Sequence, residues 1–428
     1  LAAPPGFVLR QGASGEPAVD SANVARAAWG RANAAMRVSD LVAARREIDR
    51  AATAWPTQPA YAWGRVVVAL RARDTAGVLG ALEAYAALGL GRDLTTDSTL
   101  AALARLPGFA AVRAKHDDQR APLTRGRVRA TLPDSTFWPE GMDVDPRSGR
   151  LYVASVRHRT IAELSPDGRM LRELLPRHAA GIGAILGVRV DTARGVLWAT
   201  TAGLPQMSGY VPADSAIAGL LQIRLADGAI ARRWDLPLAA AGHTLGDVAI
   251  GPAGDVFASD SREPVLYRLR PDGATLEPLR HPLFRSLQGI APHPDGGSVF
   301  VADYSHGLLR VELATGRVTR LGEGPGTTAL GCDGIAWHRG SIIAVQNGVV
   351  PPRVVRFLLD AGGTRIERTE VLDRNLPTAD EPTIGAVAGG EFVYVANSQW
   401  EKYDGTGMPR AGAVLRRPTL LAVPLGAR

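Results

Sequence analysis

Three tripeptides in this chain set an oxygen-bearing side chain directly before a glycine at the head of an apolar run: Pro139-Glu140-Gly141, Leu287-Gln288-Gly289 and Cys332-Asp333-Gly334. Two carboxylates and one amide are hard oxygen donors. Gathered at one point and completed by water, they suit Ca²⁺ or Mg²⁺ better than a soft metal. Carboxylates at strand starts also cap neighbouring loop amides, so residue type alone leaves both uses open.

A repeat is what could gather them. Residues 287–316, LQGIAPHPDGGSVFVADYSHGLLRVELATG, read as three short strands separated by a Pro-Asp-Gly-Gly turn and a small loop, with RVTRL as a fourth strand. Such short strands punctuated by Gly, Pro and Asp form an antiparallel meander. The pattern returns at 140–155, 186–201, 246–260, 333–347 and 382–397. Its equivalent positions, Gly141, Gly187, Asp247, Gly289, Gly334 and Thr383, lie 46, 60, 42, 45 and 49 residues apart. Four strands at that period signal a β-propeller, here of six blades. The last copy ends at TLLAVPLGAR without an outer strand, while RVRATLP (127–133) stands unassigned before the first. That segment is expected to complete the last blade and close the ring, leaving no unpaired edge.

Ahead of the propeller the composition changes. Residues 21–118 carry alanine-rich segments of helical period, with Leu41, Ala44, Ile48 and Ala52 on one face and Asp74-Thr75 as a cap. The expected fold is a multidomain α plus all-β chain: a tail over 1–20, a short helical domain over 21–118, and a six-bladed propeller over 119–428.

In a propeller, residues leading into the innermost strands converge on the axis. Here these are Glu140, Leu186, Gly246, Gln288, Asp333 and Pro382. The ends of the second strands add a polar ring: Ser155, Thr201, Asp260, Asp303, Asn347 and Asn397. Asp260 and Asp303 are the expected catalytic pair, because a nearby cation would hold one of them ionised as a base for water. His243, Asp247, His306, Asn347, Asn397 and Trp400 are the expected substrate contacts. Insertions at 201–218 and 398–418 fall on the same face, where long loops on a rigid scaffold tend to carry binding.

Composition excludes several classes. The net charge of +7 comes from scattered arginines, with lysine only at positions 115 and 402. No basic, aromatic-interleaved stripe marks a nucleic-acid partner. No run of 18 apolar residues offers a membrane span. Cys332, the single cysteine, rules out an internal disulfide and reads as a small buried hydrophobe. No Gly-x-Ser-x-Gly elbow, Cys-His arrangement or phosphate-cradling loop is present. The start Leu-Ala-Ala-Pro-Pro suggests a removed export signal and hence a periplasmic or secreted protein.

The Pro-Glu-Gly, Asp-Gly-Ile and Gly-Asp-Val motifs at 139–141, 333–335 and 246–248 resemble those of the senescence marker protein/gluconolactonase propellers. They are more distantly similar to paraoxonases and strictosidine synthase-like proteins. The resemblance covers 127 to the C-terminus. It implies a divalent cation, calcium foremost with zinc or magnesium as alternatives, held at Glu140, Gln288 and Asp333. Gln288 stands where that family has Asn, and Gly246 where it has a substrate-contacting Asn. The helices resemble degenerate tetratricopeptide repeats, whose groove would take a protein partner. The implied function is metal-dependent hydrolysis of a small lactone or related ester. The alternatives are a non-catalytic ligand- or protein-binding module and a metal-free strictosidine synthase-like pocket.

Overall fold

Strand burial explains the architecture: the second strand of each of the first five blades is buried along its whole length, so each must be covered on both faces. The computed structural model describes residues 21–96, 98–239 and 242–426; the tail assigned to 1–20 lies outside them. Six sheets surround an axis, and in the first four blades each is built from four consecutive antiparallel strands. Apolar clusters fill the gaps between adjacent blades. Val196, Trp198 and Leu220 of the second blade meet Val248 and Leu269 of the third, and corresponding sets join every other neighbouring pair.

The ring closes as expected. Arg127–Thr131 pairs with Thr419–Pro424 and becomes the outer strand of the sixth blade. The fifth blade gains a short parallel edge strand, Gly322–Glu323, which sequence reading had not separated from its neighbour.

Six helices precede the first strand among the described residues: Ser21–Arg37, Leu41–Ala54, Pro59–Arg71, Thr75–Ala86, Ser98–Ala101 and Phe109–Arg120. Asp74 caps the fourth through the Gly77 amide at 2.9 Å. The last helix ends at Arg120, two residues beyond the boundary expected at 118. Ala22, Ala25, Ala28 and Ala32 line the buried stripe of the first helix, which packs against Ala44, Ile48 and Ala51 of the second. At Gly64 a Cβ would lie 2.6 Å from the Trp29 ring, so the third helix approaches as closely as it does only with glycine there.

These helices sit on blades four and five. Leu330 and Val349 enter the helical cores. Arg353 donates to Gly89 O at 2.8 Å, the Gly91 amide to Val350 O at 3.1 Å, and Arg374 to Asp118 O at 2.9 Å. His306 meets Arg26 and packs near Trp55. No described helix is long and apolar enough to cross a membrane.

Candidate functional site

A β-bulge recurs where five of the inner strands begin, between Pro139 and Met142, Ile185 and Val188, Leu245 and Asp247, Leu287 and Ile290, and Cys332 and Ile335. A bulge bends its strand and re-aims one side chain. The first residue within each bulge is Glu140, Leu186, Gly246, Gln288 or Asp333, five of the six axial residues read from the sequence. Neighbouring bulges touch. A Cβ on Gly141 would lie 2.2 Å from Leu186 O, and one on Gly289 2.5 Å from Asp333 O. Thr383 Oγ1 donates to Glu140 O at 2.7 Å, joining the sixth blade to the first.

Two carboxylates dominate the opening. Trp400 Nε1 donates to Glu140 Oε2 at 2.7 Å, and Asn347 Nδ2 to Asp333 Oδ2 at 2.7 Å. Burial, then the charge of Asp333, hold the Glu140 carboxyl well above its usual range. Burial, with further repulsion from Asp247 and Glu381, pushes Asp333 up to about 7 despite the Asn347 bond. The two belong to blades one and five yet share one field. Asn347 also donates to Pro382 O at 3.0 Å, so its amide orientation is set by two acceptors. Its Oδ1 is buried with no hydrogen-bond partner.

Trp400 is placed by the insertions. Its ring meets Trp138 edge-on at 4.8 Å, and Trp138 stacks on Tyr403 at 3.8 Å. Arg157 bonds Gly407 O, and Gly407 packs on the Gln206 backbone, so the two insertions lock together over the first two blades. Trp138 and Glu381 both hold positive φ, 48° and 57°, in segments leading to the opening. Non-glycine residues persist there only when their surroundings impose it.

The rest of the sequence-assigned set lies elsewhere. Asp260 accepts from the Thr244, Arg262 and Glu263 amides through Oδ1 and from His243 Nδ1 at 2.6 Å through Oδ2. His243 spends its other nitrogen on Pro237 O at 2.9 Å. Asp303 accepts from the amides of Arg285, Ser286, Ser305 and His306. Both carboxylates are fully buried loop caps, an arrangement that leaves no lone pair aimed at a water in the opening. His306 is buried under the helices. Asn397 binds the Thr419 amide at 2.7 Å and Arg417 O at 3.1 Å within its own loop. Asp247 is buried in the axial wall, bonded to the Ile290 amide at 3.0 Å and facing Arg189 at 3.5 Å. Of the assigned substrate contacts, Asn347 and Trp400 reach the acid pair.

The strand register shows why Asn347 differs from the rest of its ring. Gln346, not Asn347, stands opposite Cys332, as Asp303 stands opposite Leu287. Gln346 binds Thr328 O and Leu330 O, a loop-capping role like that of Asp303. A one-residue offset turns a strand side chain to the other face. Tyr304, one residue beyond Asp303, shares the offset and was not anticipated. Burial, then the charges of Asp333 and Glu381, push its phenol up to about 12. Glu381 was also missed, although its place directly before Pro382 was a signal.

Tyr304 links the opening to a cleft of about 890 Å³ between the helices and the propeller face, walled by Trp29, Trp63, Val67, Tyr85 and Val349.

The donors fit a hard cation: two repelling carboxylates, the Gln288 amide, and an orphaned amide oxygen beside Asp333. Among the described residues, no group of three or more His, Cys, Asp and Glu is placed to hold a metal, so amide oxygens would have to complete the set.

No family model and no curated protein matches the sequence. Solved structures align with much of the chain. Virginiamycin B lyase from Staphylococcus aureus aligns with 63% of this chain and 80% of its own at 16% identity and a TM-score of 0.43. A Thermus thermophilus protein provisionally assigned as an oxidoreductase (glucose dehydrogenase) aligns with 70% of this chain and 99% of its own, at 16% identity and a TM-score of 0.46. At these identities and TM-scores the alignments carry no argument about this chain.

Proposed function

We propose that the chain hydrolyses a small lactone or related ester at the axial opening, as the gluconolactonase resemblance implies. The observation that supports this most is the pair of half-buried Glu140 and buried Asp333, drawn from non-adjacent blades and each oriented by a single donor. Acids with raised pKa values beside a cleft are a functional-site signature. Glu140, Gln288 and Asp333 would hold a divalent cation, calcium by the hardness of the oxygens, and that ion would polarise the substrate carbonyl.

The chain's own groups do the rest. Trp400 and Asn347 fix the two carboxylates. The Tyr304 hydroxyl keeps its proton at neutral pH and donates it in a hydrogen bond to a substrate oxygen. Glu381, a carboxylate of the opening outside the cation set, takes the proton released as water adds to the carbonyl and returns it to the leaving alkoxide oxygen as the acyl C–O bond breaks, a role that the bonding of Asp260 and Asp303 does not suit. The helices and the paired insertions keep bulk water from the mouth.

A lactone panel followed by acid release tests the proposal. Glu140→Gln and Asp333→Asn are expected to lose about 100-fold or more in turnover while staying folded; unchanged turnover would refute the assignment. That no group of three or more His, Cys, Asp and Glu among the described residues is placed to hold a metal favours a second reading, a metal-free binding propeller, which predicts no turnover in the parent protein.

A further inference from the structure

The cleft carries a charge pattern of its own. None of its lining residues is acidic, and three are arginines: Arg37 and Arg71 exposed at the rim, and Arg92 half-buried. The Arg92 guanidinium lies over the Trp63 ring at 4.5 Å and the Tyr85 ring at 5.7 Å. Its Nε is buried with no hydrogen-bond partner, and no carboxylate pairs with it among the described residues. The adjacent Asp93 is taken by Arg120 at 2.8 Å. The Arg92 backbone is anchored, its amide on His116 Nδ1 at 3.1 Å.

A guanidinium lying over one aromatic face and beside a second ring, partly stripped of water and with an N–H unspent, is an incomplete anion site. Its planar fork matches a carboxylate, and one such fork satisfies a single carboxylate. Trp29, Trp63 and Val67 supply an apolar wall beside it. We propose that this cleft binds a small amphipathic monocarboxylate, its apolar or aromatic body against Trp63 and Val67 and its carboxylate on Arg92. Release of such an acid as the product of lactone opening would rest on the hydrolase reading above; its binding does not.

Calorimetric titration with 4-phenylbutyrate and with 4-phenylbutan-1-ol, its neutral counterpart, tests this. The full chain is expected to bind the acid about tenfold or more tightly than the alcohol. Arg92→Met, which keeps the stem on Trp63 but loses the charge, is expected to bind both alike. Arg92→Lys, which keeps the charge and loses the fork, is expected to fall between. Glu140→Gln should keep the full preference for the acid even where it abolishes lactone turnover, which separates the two proposals. Equal binding of acid and alcohol by the parent chain, or an undiminished preference in a folded Arg92→Met protein, would overturn the site.

Discussion

Asn347 ties Asp333 to the loop that leads into the sixth blade: its Nδ2 sits 2.7 Å from Asp333 Oδ2 and 3.0 Å from Pro382 O. That double donation leaves Oδ1 buried without a donor beside two repelling carboxylates. A cation at the opening would use the orphaned oxygen and relieve the repulsion together.

Asn347→Leu removes both bonds and the spare oxygen. Partners that orient metal ligands typically govern 10- to 100-fold in affinity, so calcium binding is expected to weaken by about tenfold or more. Calorimetry on chelated protein reads this directly. Unchanged affinity would place Asn347 outside the site.

Trp400→Phe keeps an aromatic ring on Trp138 and deletes the indole donor to Glu140. Lactone turnover is expected to fall by about tenfold, the loss of one hydrogen bond to a charged group. Steady-state kinetics and a thermal melt separate this from unfolding, since the melting midpoint should shift by only a few degrees at most.

The inter-blade seam gives a paired test. Gly141→Ala would drive a Cβ to 2.2 Å from Leu186 O and is expected to cost about 2 kcal/mol or more by chemical denaturation. Gly246→Ala has Gln288 Oε1 as its nearest neighbour at 3.9 Å and should stay within about 0.5 kcal/mol. Equal effects would mean that the blades do not meet at these glycines.

Asp303 predicts a pH dependence. Burial pushes its carboxyl up, but His306 and the Ser286 and Arg285 amides outweigh it and hold the group below its ordinary value. A folded pKa lower than the unfolded one stabilises above about pH 4 and loses that contribution as pH falls through the folded value. Asp303→Asn is expected to cost about 2 kcal/mol at pH 7, with the gap to the parent closing towards pH 3. A gap that does not change with pH would contradict this.

Much of the architecture was legible because it is written locally. Turn residues between short apolar runs gave the period, and the strand at 127–133 matched the blade that lacked one. The bulge residues could be read as axial because each directly precedes its equivalent position in the repeat. The second ring misled for a physical reason: an aspartate ending a strand looks the same in sequence whether it caps a loop, as Asp260 and Asp303 do, or faces an opening. The one-residue offset that brings Asn347 and Tyr304 to the acid pair depends on strand register, which composition does not reveal. The cleft and Arg92 were invisible because they arise where helices from one end of the chain meet loops about 250 residues away.

Calcium titration of the chelated full chain, beside Glu140→Gln and Asp333→Asn, bears most directly on the axial site. One saturable site in the parent that is lost in both folded variants is the predicted result. No binding by the parent, or equal binding by all three proteins, would contradict it.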